Sequence, residues 1–215
     1  MHQVVDEAGL NNVSHQGDKY QLLSIDEGSI VKTQIRYEGG EVVNNKILVT
    51  YASRTGSTME VAEAIGKTLS EDRAQVDVIP MQDVKDLAPY RAVIVGSAIR
   101  KAKWLPEAVQ FIRTHQETLM HKPLAMFTVC ITLAMSNSDQ YRSCVAGWTA
   151  PIRVLVRPLS EGLFAGMLDF SKLPFNWDTL KLRATVAAGI FPRGDRRDWA
   201  AIRSWAESLI PMLGV

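Results

Sequence analysis

Cysteine is scarce in this sequence: Cys130 and Cys144 are its only two in 215 residues. They form no CxxC pair, which argues against a structural zinc site and for a reducing compartment. Long apolar runs are also missing, since no stretch reaches the roughly 18 to 20 residues that a membrane span requires. The first residues lack the basic and apolar regions of a signal peptide. We therefore expect a cytoplasmic protein without a metal site.

A large excess of charge of either sign is absent as well. The chain carries 24 basic and 23 acidic residues, a net charge of +1. Residues 1–45 hold seven acids and three bases, a net −4, which leaves +5 for residues 46–215. The N-terminal segment is therefore net acidic, whereas the rest of the chain is net basic. No nucleic-acid partner is expected, because the sequence has no strongly basic balance.

Size and composition predict one domain with an N-terminal extension. The chain is 47% hydrophobic, enough for one full core without disulfides. Residues 1–17 are polar without periodicity and are predicted to be flexible, whereas residues 20–25 and 30–37 flank a turn and predict a β-hairpin. We expect the extension over residues 1–45 and the main domain over residues 46–215. A lone hairpin is barely stable, so it should pack on the main domain or on a second subunit, which would make a homodimer.

The most informative stretch is a predicted strand, loop and helix over residues 46–69. Residues 46–52 are mostly apolar and branched, and Val61, Ile65 and Leu69 recur every four residues after the loop. Such a loop brings backbone N–H groups and the positive end of a helix dipole to one point, as a phosphate requires. An ordinary capped turn is the alternative, because Ser and Thr also cap helices. The candidate phosphate ligands are Ser53, Arg54, Thr55, Gly56, Ser57 and Thr58.

Strands and helices alternate from residue 46 onward. Four further apolar runs predict strands at residues 75–80, 92–95, 124–129 and 159–166. Helices are predicted at residues 105–112, from Ser138 to an end or kink at Pro151, and after Asp198. In the last helix we expect Trp199, Ile202, Trp205 and Leu209 to face inward.

This alternation predicts an α/β fold with a doubly wound, five-stranded parallel sheet in the order 2-1-3-4-5. Ligands bind such a sheet beyond the carboxyl ends of its strands, beside the switch point. The loops after strands one, three and four are therefore the candidate ligand-binding loops.

Small residues after the third strand let a flat ring lie against the backbone, and the peptide groups after the fourth strand could clamp the other side of that ring. Trp104 could stack on or cover such a ring, or it could be a hydrophobic staple ahead of the helix at Pro106. Arg100, Lys101 and Lys103 are by default a solvated basic face, but beside a ring they would favour an anion and attract an acidic substrate. For Cys130 we favour a small packing residue over a reactive thiol. The candidate ring contacts are Ser97, Ala98, Ile99, Arg100, Trp104, Val129, Cys130, Ile131 and Thr132.

The loop Ser53-Arg54-Thr55-Gly56-Ser57-Thr58 resembles the FMN phosphate loop of flavodoxins, Thr/Ser-x-Thr-Gly-x-Thr. Arg54 is similar to an arginine in the same loop of the menaquinone-dependent protoporphyrinogen IX dehydrogenases, a flavodoxin-like family. That family also ends its third strand in small residues followed by Ile-Arg, with an aromatic four residues later, as at Ile99, Arg100 and Trp104 here. Asp198-Trp199 is a further family-like feature, and the resemblance covers residues 46 to 213.

This resemblance implies an FMN-dependent oxidoreductase of heme biosynthesis that passes electrons from a porphyrinogen to a quinone. Family members carry a long basic and apolar insertion before the last helix, but residues 169–197 form only a modest counterpart. Its aromatic residues and its arginines Arg193, Arg196 and Arg197 could contact a membrane surface, cover a porphyrin, or simply cover the core.

Two other functions stay open on the sequence. One is a flavodoxin-type carrier that exchanges single electrons with a redox protein, although residues 46–215 lack the acidic charge of such carriers. The other is a cofactor-free flavodoxin fold that binds a partner through its N-terminal extension. No Ser/His/Asp or Cys/His arrangement is evident, so no catalytic side chain is nominated, in line with chemistry that a flavin supplies.

Overall fold

The computed structural model describes residues 3–5, 11–15, 18–23, 34–37, 46–71, 74–135, 138–172, 177–189 and 192–214. The chain divides into two units, Met1–Asn44 and Asn45–Val215. In the described part of the chain, no helix is both long and apolar enough to cross a membrane.

The N-terminal unit contains a four-stranded antiparallel sheet. Its strands, in order across the sheet, are β1 (Gln3–Val5), β2 (Asn11–His15), β3 (Asp18–Leu23) and β4 (Gln34–Tyr37). β3 and β4 pair with Tyr20 opposite Tyr37, which is the pairing of the predicted hairpin. β1 and β2 lie in the segment for which the sequence predicted no regular structure. The turn predicted at residues 26–29 lies outside the described residues, and the flexibility of residues 1–17 stays a prediction.

The larger unit alternates strands with helices, as predicted. Its elements are β5 (Lys46–Ala52), α1 (Ser57–Glu71), β6 (Gln75–Pro80), β7 (Ala92–Arg100), β8 (Lys103–Trp104), α2 (Pro106–Thr114), α3 (Gln116–Met120), β9 (Leu124–Cys130), α4 (Ser138–Leu155), β10 (Ser160–Ala165), β11 (Met167–Leu168), α5 (Trp177–Ala187), β12 (Gly194–Asp195) and α6 (Trp199–Leu213).

The main sheet is parallel and runs β6-β5-β7-β9-β10. In chain order of these five strands this is 2-1-3-4-5, so the predicted fold class and strand order are confirmed. The short β8 adds to β7 as an antiparallel partner, and β11 pairs with β12 in a separate ribbon. The switch point lies between β5 and β7, where the chain changes its direction of progress across the sheet.

Hydrophobic clusters cover both faces of the sheet because successive side chains of β5 point to opposite sides. Ile47 and Val49 pack with residues of α1 and α6, whereas Leu48 packs with residues of α2, α3 and α4. Val61, Ile65 and Leu69 of α1 are fully buried, as their spacing predicted. Each such side chain contributes roughly 1.5–3 kcal/mol to folding. The two clusters hold the carboxyl ends of the strands, and hence the loops that follow them, in fixed positions.

α4 does not end at Pro151, one of the two predicted outcomes, while a kink there stays a prediction, and α5 is an additional helix. α4 continues past Pro151 to Leu155, and within this helix the carbonyl of Ala146 accepts hydrogen bonds from the Thr149 hydroxyl and the Arg153 guanidinium. Side chains can thus satisfy helix carbonyls near an internal proline, which the sequence pattern does not reveal. α5 was not predicted at all, because its apolar residues do not recur on one face.

The last helix begins as predicted but turns one tryptophan outward. The carboxylate of Asp198 accepts a hydrogen bond from the backbone N–H of Ala201 at 3.0 Å and caps α6. Trp205 faces inward and packs edge-on against Phe127 and Phe164. The prediction that Trp199 faces inward is wrong, since 43% of this residue is exposed.

Candidate functional site

A cavity of about 510 Å³ opens beyond the carboxyl ends of β5, β7 and β9, beside the switch point of the sheet. Its walls come from the loop before α1, the end of β7, the end of β9, the β11 ribbon and α5. The lining residues are Ser53, Arg54, Thr55, Ser57, Thr58, Ala98, Ile99, Arg100, Lys101, Leu105, Val129, Ile131, Gly166, Met167, Leu168, Lys181, Leu182 and Thr185. The volume is in the range of small-molecule and cofactor sites.

The loop over residues 53–58 forms one end of the cavity. Gly56 has φ +91°, a left-handed conformation that glycine adopts without steric cost. Its N–H donates a hydrogen bond to the Ser53 hydroxyl at 3.1 Å, which closes the loop, and α1 begins at the next residue, Ser57. The first N–H groups of α1 thus lie beside the cavity that Ser57 and Thr58 line.

The hydroxyl of Thr58 is a buried polar atom without a hydrogen-bond partner among the described residues. Thr58 is 0% exposed and also lines the cavity. Leaving such a group unsatisfied costs about 1–3 kcal/mol, so the site is suited to a ligand oxygen that completes the bond.

Arg54 lines the cavity and forms an ion pair with α2. Its Nη2 lies 2.9 Å from Oε2 of Glu107, with about half of the Arg54 side chain exposed. An exposed pair of this kind contributes little to stability, at most about 1 kcal/mol. Exchange of Glu107 for an anionic ligand as the partner of Arg54 would therefore cost little free energy.

A tight hairpin between β7 and β8 forms the second wall. Ile99 pairs with Trp104 and Arg100 pairs with Lys103, so Lys101 and Ala102 make the turn. Both turn residues have positive φ, +50° and +57°, which Lys and Ala seldom adopt. Ala98, Ile99, Arg100 and Lys101 of this hairpin line the cavity.

Buried hydrogen bonds hold this hairpin from behind. The Ser97 hydroxyl accepts a bond from the Leu105 N–H at 3.1 Å, and the Trp104 indole donates to the Thr128 hydroxyl at 2.9 Å. Ser97 and Trp104 do not line the cavity. The placement of Trp104 in the core cluster with Leu105 matches the packing alternative of the sequence analysis.

Gly96 lies on β7 ahead of the β7–β8 turn, and the neighbouring core leaves no room for a side chain at this position. A β-carbon at this position would lie 2.0 Å from Cζ of Phe127, which is itself fully buried. The absence of a side chain at Gly96 therefore lets the Phe127 ring lie against β7.

The end of β9 supplies the third wall. Val129 and Ile131 line the cavity, while Cys130 between them is buried among Leu133 and Val145. Burial raises the pKa of the Cys130 thiol, so it stays protonated at neutral pH and serves packing. Thr132 lies in a short 3-10 turn over residues 131–134 and does not line the cavity.

None of the fourth wall was among the nominated site residues, although its residues on α5 lie in the segment 169–197 that the sequence analysis considered as a cover for a porphyrin. This wall consists of Gly166, Met167 and Leu168 next to β10 and of Lys181, Leu182 and Thr185 on α5. One signal was present, because Gly166 directly follows the fifth strand and the carboxyl ends of all parallel strands meet at the same edge. α5 itself gave no periodic signal.

Ten predicted site residues come together around the cavity and five do not. Those that line it are Ser53, Arg54, Thr55, Ser57, Thr58, Ala98, Ile99, Arg100, Val129 and Ile131. Those that do not line it are Gly56, Ser97, Trp104, Cys130 and Thr132. These five lie within or directly behind its walls, and a cofactor-binding role for any of the fifteen side chains stays a prediction.

The described lining of the cavity is positively charged. Arg54, Arg100, Lys101 and Lys181 reach it, and none of the lining residues is Asp or Glu. Cations at an otherwise apolar site favour ligands that carry negative charge.

Comparison with known proteins gives one family and two groups of relatives. The model of the flavodoxin domain matches residues 48–186, more than half of the chain. Protoporphyrinogen IX dehydrogenase [quinone] of Leishmania major is 24% identical over 178 residues, which cover 75% of this chain and 73% of that protein. The protein of the same name from Escherichia coli K12 is 27% identical over 86 residues, which cover 39% of this chain and about half, 48%, of that protein.

Solved flavodoxins are also similar to the chain. Flavodoxin 1 of Bacillus cereus is 18% identical with a TM-score of 0.43, covering 66% of this chain and 97% of that one. The flavodoxin of Streptococcus pneumoniae TIGR4 is 16% identical with a TM-score of 0.45, covering 77% and 98%.

The cofactor that a flavodoxin domain indicates is FMN, and the residues of the cavity fit it. The unpartnered Thr58 hydroxyl and the start of α1 suit a phosphate, while Ile99, Val129 and Leu182 offer apolar surface to a flat ring. An FMN-type oxidoreductase or electron-transfer role follows.

The matched stretch of residues 48–186 contains every residue that lines the cavity. It also spans all five strands of the sheet whose order defines the fold, apart from the first two residues of β5. The chain therefore belongs to the flavodoxin domain family.

Proposed function

We propose that this protein is an FMN-dependent oxidoreductase that passes electrons from a reduced, acidic substrate to a quinone, with a porphyrinogen as its substrate. The observation that carries the proposal is the combination of three features in one cavity: an unpartnered buried hydroxyl at one end, apolar walls, and basic lining residues with no acidic residue among the described lining. The two relatives named protoporphyrinogen IX dehydrogenase [quinone] support the choice of substrate and acceptor.

The residues of the chain would bind FMN and orient its ring. The loop over residues 53–58 would hold the phosphate of FMN, and Ala98 to Arg100 with Val129 and Ile131 would border its ring. When bound, FMN supplies the transfer of an electron pair, which leaves the substrate and later reduces the quinone to a quinol. No nucleophilic side chain is required for this reaction.

Positive charge would select the substrate. Arg100, Lys101 and Lys181 lie on two walls of the cavity, the β7–β8 hairpin and α5. All three would pair with the carboxylates of an acidic substrate, and Arg100 and Lys101 would also favour a reduced, anionic ring. This charge pattern also speaks against an acidic electron carrier.

α5 offers an apolar surface outside the cavity. Trp177 is 71% exposed and Leu180 is 44% exposed, next to Lys181, which lines the cavity. Exposed apolar residues beside cations suit peripheral contact with a membrane surface, where quinones reside. We propose this contact as the route to the acceptor. Within the segment 169–197 considered in the sequence analysis, residues 173–175 lie outside the described part of the chain.

The test is an anaerobic assay of the full chain loaded with FMN, given protoporphyrinogen and a soluble quinone. The expected result is porphyrin formation that requires both FMN and quinone, with the flavin reduced in one two-electron step. If protein with bound FMN forms no porphyrin, the substrate assignment is wrong. If the flavin is instead reduced in two well-separated one-electron steps, a carrier role is favoured.

A matched pair of variants tests the charge argument. Lys181→Gln removes a cation from the cavity and should raise the KM for the acidic substrate several-fold, with kcat and FMN affinity nearly unchanged. Lys67→Gln removes an exposed cation of α1 that does not line the cavity, and should change none of these values. Equal KM values for the two variants would contradict electrostatic selection of the substrate.

A further inference from the structure

Arg197 is a buried cation in the connection between β12 and α6, and neither the cofactor nor the substrate assignment gives it a role. Only 3% of its side chain is exposed. The sequence analysis grouped it with arginines available to a membrane or a porphyrin, but in the structure Asp195, Glu60 and Trp199 cover its side chain. An arginine so deeply buried requires partners for its charge.

Asp195 is the first partner. Nε of Arg197 lies 2.8 Å from one carboxylate oxygen of Asp195 and Nη2 lies 2.6 Å from the other, a bidentate pair. Hydrogen bonds from Arg197 lower the pKa of Asp195, so this carboxylate stays charged well into the acid range. The pair fixes the guanidinium to the β11–β12 ribbon, whose Met167 lines the cavity and lies 3.9 Å from Nη2.

Glu60, in the first turn of α1, is the second partner. Nη1 of Arg197 lies 2.7 Å from its Oε2 and 3.4 Å from the carbonyl oxygen of Ser57. The guanidinium therefore reaches the first turn of the helix whose start lines the phosphate end of the cavity. The Trp199 ring also covers the guanidinium: Cζ of Arg197 lies 4.4 Å from the centre of that ring.

The charge of Glu60 is the reason that this contact matters for a ligand. A carboxylate in the first turn of a helix is favourable in the absence of an anion, but it repels an anion that binds at the same helix start. Arg197 carries one positive charge and pairs with two carboxylates, Asp195 and Glu60, so it offsets part of the Glu60 charge and also holds that carboxylate by a hydrogen bond.

We propose that Arg197 is a positioning residue for the phosphate group of FMN: it offsets part of the Glu60 charge, holds the Glu60 carboxylate in place, and ties the first turn of α1 to the cavity wall at β11. The inference rests on the FMN site of the proposed function. Arg197 acts through Glu60, without touching the cofactor. Riboflavin has the same ring without the phosphate, so the effect should be specific to FMN.

The experiment compares the dissociation constants of FMN and riboflavin by quenching of flavin fluorescence, with the full chain. Arg197→Gln should weaken FMN binding about ten-fold and change riboflavin binding by less than about two-fold, because only a phosphate is repelled by the carboxylates of Glu60, in the first turn of α1, and Asp195, which both lose this partner. Adding Glu60→Gln to that variant should return FMN affinity to within about two-fold of the wild type.

Arg203→Gln is the matched control. Arg203 also lies on the α6 side and pairs with α1, but it meets Glu71 at the opposite end of that helix. Its loss should leave both flavin affinities unchanged. Equal weakening of FMN and riboflavin by Arg197→Gln, or failure of Glu60→Gln to restore FMN binding, would overturn the proposal in favour of a purely structural arginine.

Glu60→Gln alone keeps the proposal testable if Arg197→Gln does not fold. It removes the carboxylate and keeps the guanidinium on Asp195, so FMN affinity should stay equal or increase while riboflavin affinity is unchanged; weaker FMN binding would contradict the proposal. A wild-type chain that binds no FMN would refute the cofactor site itself. Loss of porphyrinogen oxidation with intact FMN binding would refute only the proposed reaction.

Discussion

Trp104 and Thr128 are joined by a buried hydrogen bond, from the indole Nε1 to the hydroxyl oxygen at 2.9 Å. Trp104 ends the β7–β8 hairpin and Thr128 lies on β9, so the bond connects two of the loops that border the cavity. Both residues are buried behind the wall. The bond therefore fixes the distance between the two sides of the proposed ring site without occupying it.

Thr128→Val should lower the free energy of unfolding by about 1–3 kcal/mol, because the indole N–H would lose its partner at a buried position. Urea unfolding measures this change. Thr114→Val is the control: the Thr114 hydroxyl also accepts a side-chain N–H, from Gln110 at 3.2 Å, but on the surface. Its loss should cost less than about 0.5 kcal/mol. An equal loss of unfolding free energy in the two variants would show that the buried bond stabilises the protein no more than the exposed one.

Gly96→Ala should destabilise the protein by more than about 2 kcal/mol, since the new methyl group would overlap the buried Phe127 ring. Gly147→Ala, in α4, meets no atom within 4 Å and should instead stabilise by about 0.5–1 kcal/mol through helix propensity. Thermal unfolding should show a lower melting temperature than the wild type for Gly96→Ala and a higher one for Gly147→Ala. A neutral Gly96→Ala variant would mean that Phe127 can move and that the packing argument is wrong.

Ala102→Gly should stabilise the β7–β8 hairpin by up to about 1 kcal/mol, because glycine adopts φ +57° without the steric cost that alanine incurs. The same substitution at Ala64, inside α1, should destabilise by roughly 0.5–1 kcal/mol. Chemical denaturation compares them. Destabilisation by Ala102→Gly would indicate that the turn is not in the left-handed conformation.

Asp77 predicts how stability depends on pH. Its carboxylate lies 2.7 Å from both the Lys46 ammonium and the Tyr90 hydroxyl. Burial alone would raise the pKa of Asp77, but the hydrogen bonds from Lys46 and Tyr90 lower it below its ordinary value. A group with a lowered pKa stabilises the fold above its unfolded pKa, so this stability is lost as the pH falls below about 4 through the folded pKa.

Tyr90 gives the opposite dependence. Burial, and then the hydrogen bond to Asp77, raises the pKa of Tyr90 to about 12. This contribution is present below the unfolded pKa of about 10 and is lost as the pH rises toward about 12. Asp77→Asn should remove the acid part and weaken the alkaline part, whereas Tyr90→Phe should remove the alkaline part. Unfolding free energies against pH that stay parallel for all three proteins would contradict this account.

The fold was predictable from the sequence because burial leaves a local pattern. Val61, Ile65 and Leu69 recur at helical spacing, and runs such as residues 92–95 are continuously apolar, as a strand covered on both faces must be. The same reasoning failed for Trp199: its position in the helix suggested burial, but the Arg197 guanidinium lies over its ring at the surface. A contact with a residue outside the helix decided its environment.

The candidate site was predictable where loops follow strands. The residues at 53–58 and 98–100 carry their signal locally, in hydroxyl groups, small residues and one glycine. The wall made by Met167, Lys181 and Thr185 depends on where α5 lies after the chain has folded. The pairing of Arg197 with Glu60, across 137 positions of the chain, is likewise invisible before the tertiary structure is known.

The measurement that tests the central claim most directly is the ratio of FMN to riboflavin affinity in Thr58→Val, with Thr50→Val as the control. Both hydroxyls are fully buried and have no partner among the described residues, but only Thr58 lines the cavity. Each substitution should leave the fold equally stable or more stable, because it removes an unsatisfied polar atom. Thr58→Val should weaken FMN binding about ten-fold with riboflavin binding unchanged, and Thr50→Val should change neither. Unchanged FMN affinity in Thr58→Val would contradict the assignment of this loop as the phosphate site.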